Sequence, residues 1–244
     1  MVLKFALVVL GAYLLGSIPT AYLIARWRRG IDIRKYGSGN VGASNVLAVV
    51  SKRWSIPVTI FDIGKGALAV WVAQLLELGA AQQVTAGITA VIGHNWPIFL
   101  RFRGGRGIFT TLGVVTMLSP KLGLITLVLA YSLAPLRQLS LGVFLALVSL
   151  PIFSWFASQP LDIEERLPIT LGLVVLALTG LSRRLIASRT PLSESVSPAQ
   201  LFINRLLFDR DIRDRKRWVS QKRLLEQAPA EQLLEPEEKK KGVD

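Results

Sequence analysis

Long apolar runs separated by short polar breaks dominate this chain, and within each run the apolar residues are continuous rather than alternating, which predicts helices and not strands. The first run extends from Leu3 to Ala25. Further runs follow at about 54–79, 82–100, 107–119, 121–136, 138–158 and 167–182, each bounded by Pro, Gly or charge. The first run exceeds the apolar core of a secretory signal and lacks a clear small-residue cleavage site, so it reads as a retained span. A hydrocarbon core of about 30 Å takes about 20 helical residues to cross, which leaves the run after Gly107 too short. That segment is expected to be tilted, re-entrant or sheltered by its neighbours.

Composition sharpens the picture. The 244 residues are 51% hydrophobic yet carry a net charge of +13, a combination that suits a membrane protein with its cations on one side. The reading is therefore all-α, a polytopic integral membrane protein with about seven transmembrane helices. Arg26, Arg28, Arg29, Arg34, Lys35, Lys52 and Arg53 fall on one side, joined by Arg101, Arg103, Arg106 and Arg137. The other side keeps Lys4, Lys121 and Arg166, the last beside Asp162, Glu164 and Glu165. The positive-inside rule then gives an outer amino terminus and a cytoplasmic carboxyl terminus.

After Arg189 the composition changes, which divides the chain into a membrane domain over 1–189 and a basic cytoplasmic tail over 190–244. Ala199 to Gln227, including RDIRDRKRW, reads as a basic amphipathic segment suited to anionic lipid headgroups. The closing EPEEKKKGVD has no apolar face and reads as disordered. No nucleic-acid partner is expected. The chain has no cysteine and one histidine, His94, so disulfides, thiolate metal sites and the common zinc clusters are excluded, and no metal or cofactor is expected.

Three polar patches interrupt the apolar background. YGSGNVGASN, residues 36–45, follows Arg34 and Lys35 and carries the groups of an anion cradle, although a flexible interfacial loop has the same composition. GHNWPIFLRFRGGRGIFTT, residues 93–111, brings His94 and Asn95 to the end of one run and a Gly-Gly-Arg-Gly turn to the start of the next. Arg103 and Arg106 stand there at a helix N-terminus, where free N–H groups and the helix dipole favour phosphate; an interfacial arginine reaching for water is the alternative for Arg103. FDIGKG, residues 61–66, sets Asp62 and Lys65 three residues apart inside a span, the spacing of a buried ion pair.

With GSIPTAYLIARW and FDIGKGALAV, these stretches resemble the successive signatures of the PlsY family, bacterial membrane acyltransferases that use acyl phosphate and glycerol 3-phosphate. The resemblance covers about the first 110 residues and extends more weakly to Ser140. It implies a seven-helix protein of the bacterial inner membrane, with a cytoplasm-facing site that makes lysophosphatidate and phosphate. Carried onto this sequence, Ser38, Arg106 and His94 are the catalytic candidates. Arg34, Gly37, Gly39, Asn40, Gly42, Asn45, Gly104, Gly105, Gly107 and Ser140 are the substrate-binding candidates. His94 either accepts a proton or packs.

The sequence departs from the family pattern at several positions. Ala48 stands where an arginine is usual, Arg106 where a lysine is usual, Phe109 where a small residue is usual and Val143 where a second serine is usual. Leu178, Leu181 and Thr190 align with a histidine, an asparagine and a glutamate. The tail's INRLLFDRD echoes that missing fragment at a different spacing. Two other readings stay open on these grounds. One is a relative of the same fold with another acceptor, or with lost activity and a lipid-binding role. The other is a transporter, which the lack of a visible inverted repeat disfavours.

Overall fold

The computed structural model describes residues 2–187, 191–214 and 217–218, and among them every regular element is helical. The helices are α1 (Val2–Ser17), α2 (Thr20–Arg29), α3 (Ala43–Val49), α4 (Lys52–Leu75) and α5 (Ala80–Asn95). They continue with α6 (Ile108–Leu118), α7 (Pro120–Ser132), α8 (Leu139–Phe156), α9 (Arg166–Leu185) and α10 (Pro198–Phe208).

The first apolar run is divided. Pro19 has no N–H to donate and keeps Ile18 out of helical geometry, so α1 stops at Ser17 and α2 restarts at Thr20. Gly30 then ends α2 in the left-handed conformation (φ 68°), with Arg26, Arg28 and Arg29 in the last turn, where they complement the helix dipole. Among the described residues, four segments are long and apolar enough to cross a membrane: Val2–Arg29, Lys52–Leu75, Leu139–Phe156 and Arg166–Leu185. Helices α5, α6 and α7, at 16, 11 and 13 residues, fall short of the roughly 20 a straight crossing takes.

The expectation of a sheltered short segment describes α6 well. It packs against α4, α5 and α7, and buries Thr110, Thr111, Gly113, Val114 and Val115. Ser119 is the hinge between α6 and α7: its Oγ accepts from Leu122 N–H (3.2 Å) at the start of α7 and donates to the Leu161 carbonyl (2.7 Å).

Small residues let these helices approach backbone to backbone, as membrane interiors require when lipid and side chain are equally apolar. A Cβ at Gly66 would strike the Thr110 carbonyl, one at Gly113 the Ile63 carbonyl, and one at Gly16 the backbone of Ala90. The outward surface carries Leu10, Ile60, Leu75, Leu124 and Leu171, all exposed, the inverse of a water-soluble protein. Gly113→Ala must push α6 off α4, and we expect a loss of about 1–3 kcal/mol, typical of overpacking. A thermal unfolding midpoint in detergent equal to that of the parent would refute this.

The described part of the tail is not detached from the body. Helix α10 packs on α8 and α9, after Ser197 caps it by accepting from Gln200 N–H (3.3 Å). Thr190, EPEEKKKGVD, and Arg215 and Lys216 of RDIRDRKRW lie outside the described residues.

Candidate active site

The loop between α2 and α3 is held in shape from within. Asn45, buried at the start of α3, places its amide nitrogen 3.0–3.2 Å from the carbonyl oxygens of Ile33, Tyr36 and Asn40, and its Oδ1 accepts from Ser38 N–H at 3.0 Å. All of its polar capacity is thereby spent on the loop backbone. Gly37 and Gly39 are left-handed (φ 55° and 67°), and a side chain at Gly37 would collide with the Asn45 amide. Arg34 is engaged as well: its Nε and Nη2 donate to Asp32 at 2.9 and 2.6 Å, and its Nη1 donates to the Leu100 carbonyl at 3.3 Å. Hydrogen bonding from Arg34 holds the Asp32 carboxyl below the usual carboxylate range. Arg34 thus ties the first loop to the second.

The second loop folds back on the end of α5. Gly105 N–H donates to the His94 carbonyl at 3.1 Å, and a Cβ at Gly105 would meet both the His94 ring and the Val41 carbonyl. The two polar stretches therefore touch at Gly105. Arg183, from the last turn of α9, clamps the turn by donating from Nε to the Gly105 carbonyl (3.1 Å) and from Nη2 to the Gly104 carbonyl (3.3 Å). Gly107, left-handed at φ 70°, starts α6.

Between these loops and α6, α7 and α8 opens a cavity of about 180 Å³. That is more than ten times the roughly 10–15 Å³ needed to admit one water. Its polar end is formed by Asn40, Ser44, Arg106, Ser140, Arg184 and Asp209, with His94 and Asp62 at the floor and Gly42 and Gly107 in the wall. Between α6, α7 and α8 its lining is mostly apolar, from Leu112, Leu127, Ala130, Val143 and Leu147, with Thr111, Thr126 and Tyr131 among them. Of the residues anticipated from sequence, Asn40, Gly42, His94, Arg106, Gly107 and Ser140 line this one space. Asn45, Arg34, Gly37, Gly39, Gly104 and Gly105 shape the loops around it, and Ser38 is exposed on the first loop. Arg103 is also exposed.

Beneath the loops, Lys65 Nζ lies 2.9 Å from Asp62 Oδ1, and His94 Nδ1 lies 3.5 Å from the same oxygen. Lys65 also donates to the Ile18 carbonyl (3.4 Å), at the break between α1 and α2. This arrangement presents the His94 Nε2 edge to Gly105.

Three residues of the site were missed by sequence reasoning. Arg184 is buried, donating from Nη2 to the Ser140 carbonyl (3.1 Å) and from Nη1 to the Leu206 carbonyl (2.9 Å), while its Nε has no partner. Arg183 clamps the glycine turn. Asp209, from the tail, forms an ion pair with Arg106. Burial, with Arg184 and Arg183 nearby, pushes the Arg106 guanidinium down to about 9, so it is cationic at neutral pH. Their signal was faint: two adjacent arginines closing the last apolar run, and the FDRD that ends the echoed fragment. Where the family histidine was aligned, Leu178 is exposed at 62%, outside the site.

Comparison with known proteins gives the family of the chain. The family description "Glycerol-3-phosphate acyltransferase" matches residues 6–187. The chain is 44% identical over 232 residues to glycerol-3-phosphate acyltransferase 5 of Dehalococcoides mccartyi, covering 95% of this chain and 98% of that one. It is 52% identical over 130 residues to glycerol-3-phosphate acyltransferase 1 of Deinococcus radiodurans, covering 53% and 65%. The crystal structure of PlsY (YgiH), an integral membrane glycerol 3-phosphate acyltransferase, in its glycerol 3-phosphate form, superposes with a TM-score of 0.67 at 30% identity, covering 78% of this chain and 98% of that chain. The lysophosphatidic acid form gives 0.68 at 29% identity, covering 89% and 98%. Matched across most of its length in sequence and in fold, with the signature loops meeting at one cavity, the chain belongs to the glycerol-3-phosphate acyltransferase family.

Proposed function

We propose that this chain transfers a fatty acyl group from acyl phosphate to glycerol 3-phosphate, releasing lysophosphatidate and inorganic phosphate for phospholipid synthesis. The observation that carries the reading is a single cavity whose cationic end, at Arg106 and Arg184, continues into an apolar end between α6, α7 and α8. A donor with a phosphate head and a hydrocarbon tail needs both, in that order. The cationic end faces the cytoplasm of a multi-pass protein in the bacterial inner membrane, in keeping with the distribution of lysines and arginines along the sequence.

The chemistry asks little of the protein beyond placement. A glycerol 3-phosphate hydroxyl attacks the acyl carbonyl, the new ester C–O bond forms, the C–O bond to phosphate breaks, and phosphate departs with the electron pair. The hydroxyl proton leaves to the departing phosphate or to His94 Nε2, which Asp62 orients through Nδ1. Arg106, with the N–H groups at the start of α6, binds phosphoryl oxygens and stabilises the charge that builds on the leaving group. Asn40 and Ser140 position the two substrates, and Ser38, exposed on the same loop, meets the acceptor as it arrives. Holding the reacting atoms within about 3–3.5 Å then supplies most of the acceleration. Arg184 provides a second cation in place of the arginine that Ala48 lacks.

The test is direct. Purified protein in detergent, given palmitoyl phosphate and labelled glycerol 3-phosphate, should yield labelled lysophosphatidate and one phosphate per turnover. Phosphate release with no labelled lipid would point to another acceptor, and no turnover at all would reject the reading.

A further inference from the structure

We propose that Asp209 is a built-in competitor for substrate phosphate: its carboxylate sits on Arg106 in the empty site and must be displaced when a phosphoryl group binds. The inference rests on the acyltransfer reading, because it takes Arg106 as the phosphate-binding group.

Several independent features converge on this carboxylate. Asp209 lies beyond residues 6–187, in the segment that follows α9, yet it lines the same cavity as Asn40, His94 and Ser140. One of its oxygens pairs with Arg106, and the other, Oδ1, is buried with no partner. A few side chains away, Arg184 Nε is a buried donor with no acceptor. A carboxylate therefore fills the position incompletely, while a phosphoryl group brings more oxygens than a carboxylate has and can reach both guanidiniums. The charge balance agrees. Arg205 is matched by Asp211 at 2.8 Å, whereas Arg106, which pairs with Asp209, also has the guanidiniums of Arg184 and Arg183 as like-charged neighbours.

The fold holds Asp209 in place deliberately. Arg205 donates from Nη1 to the carbonyls of Leu185 (3.0 Å) and Ala187 (2.6 Å) at the end of α9, and Arg184 donates to Leu206. Asn204 Nδ2 donates to the Asp211 carbonyl at 3.1 Å, closing the turn. At the end of α10, Asp209 takes a left-handed backbone (φ 57°) where glycine is the usual choice. An acidic residue is thus kept in a conformation costing it about 1 kcal/mol or more, with its side chain in the cavity. With the segment anchored, the side chain alone has to swing away when phosphate arrives.

The experiment uses inorganic phosphate and the full-length protein in detergent at fixed ionic strength. Asp209→Asn and Asp209→Gly each remove the competing charge, and glycine also relieves the left-handed turn, so the second variant folds even where the first does not. Isothermal titration should show phosphate binding about tenfold tighter in both than in the parent, a difference of about 1.4 kcal/mol, and KM for glycerol 3-phosphate or acyl phosphate should fall in parallel. Unchanged or weaker phosphate binding in the folded Asp209→Gly protein overturns the proposal. So does a fall in kcat at unaltered phosphate affinity, which would make the carboxylate a participant in the chemistry. Phosphate binding needs no turnover, so tighter binding without any lysophosphatidate would uphold the competitor and reject the acyltransfer reading separately.

Discussion

Arg106→Ala lowers kcat/KM for acyl transfer by about 10²–10³, the loss seen when one preorganised donor to a developing anion is removed. The size follows from position: Arg106 stands beside the first turn of α6, lines the polar end of the cavity and is only partly exposed, so water cannot replace it. Arg106→Lys should recover a large part of that loss. An ammonium keeps the charge, surrenders the two-pronged geometry, and is the residue the family usually carries here. One complication is that alanine strands the Asp209 carboxylate, which costs stability for reasons unrelated to catalysis. The double variant Arg106→Ala with Asp209→Asn separates the two effects: its unfolding midpoint should return toward the parent value while its turnover stays low. Should Arg106→Ala turn over at the parent rate, the phosphate site must lie elsewhere.

Much of the architecture was legible because its causes are local. The brevity of α6 follows from the spacing between Gly107 and Pro120, and the Asp62–Lys65 pair follows from a three-residue helical spacing. The break at Pro19 was also written in the sequence, but the hydropathy of the surrounding run conceals it, since both halves are apolar. In the same way the run to Leu100 overstates α5. Trp96 and Pro97 end the helix, while Ile98 and Phe99 continue the apolar pattern as exposed residues of a turn. Hydropathy reports the surroundings of a residue and not its backbone.

The site was half legible for a comparable reason. Glycines, Arg106 and His94 announce themselves through composition, but whether a polar side chain faces the cavity or the loop is settled by partners far along the chain. Asn45 turns all its hydrogen bonds inward, which a list of residue types cannot distinguish from ligand binding. Asp209 reaches Arg106 across 103 positions, and Arg184 is directed inward by Ser140 and Leu206. The echo of the family fragment in INRLLFDRD pointed to the right segment. Its spacing suggested that the segment did not rebuild the site, whereas folding brings a carboxylate, though not the family's own trio, to the cavity.

Asp62→Ala should cost about 3–5 kcal/mol of stability, because it leaves the Lys65 ammonium buried without its counter-charge. Lys65 and Asp62 are almost wholly inaccessible, at 1% and 4% side-chain exposure, and no water screens the loss. The remaining acceptor for Lys65, the Ile18 carbonyl at 3.4 Å, is a long and neutral contact. Removing both charges is gentler. Asp62→Ala with Lys65→Met leaves no unpaired ion and fills part of the volume with a flexible apolar chain, so the double variant should be more stable than Asp62→Ala alone. Thermal unfolding of the four proteins in one detergent gives the coupling between the two positions, and a double-variant loss equal to the sum of the two single losses would show that the pair is not coupled. Activity reads a different consequence. Both variants take the carboxylate from His94 Nδ1, so any contribution of an oriented imidazole to proton removal is lost in the stabler double variant too, and the pH profile of its turnover should lose the limb that His94 supplies. An unchanged profile in that protein would leave the departing phosphate as the proton acceptor and reduce Asp62, Lys65 and His94 to the floor on which the two loops rest.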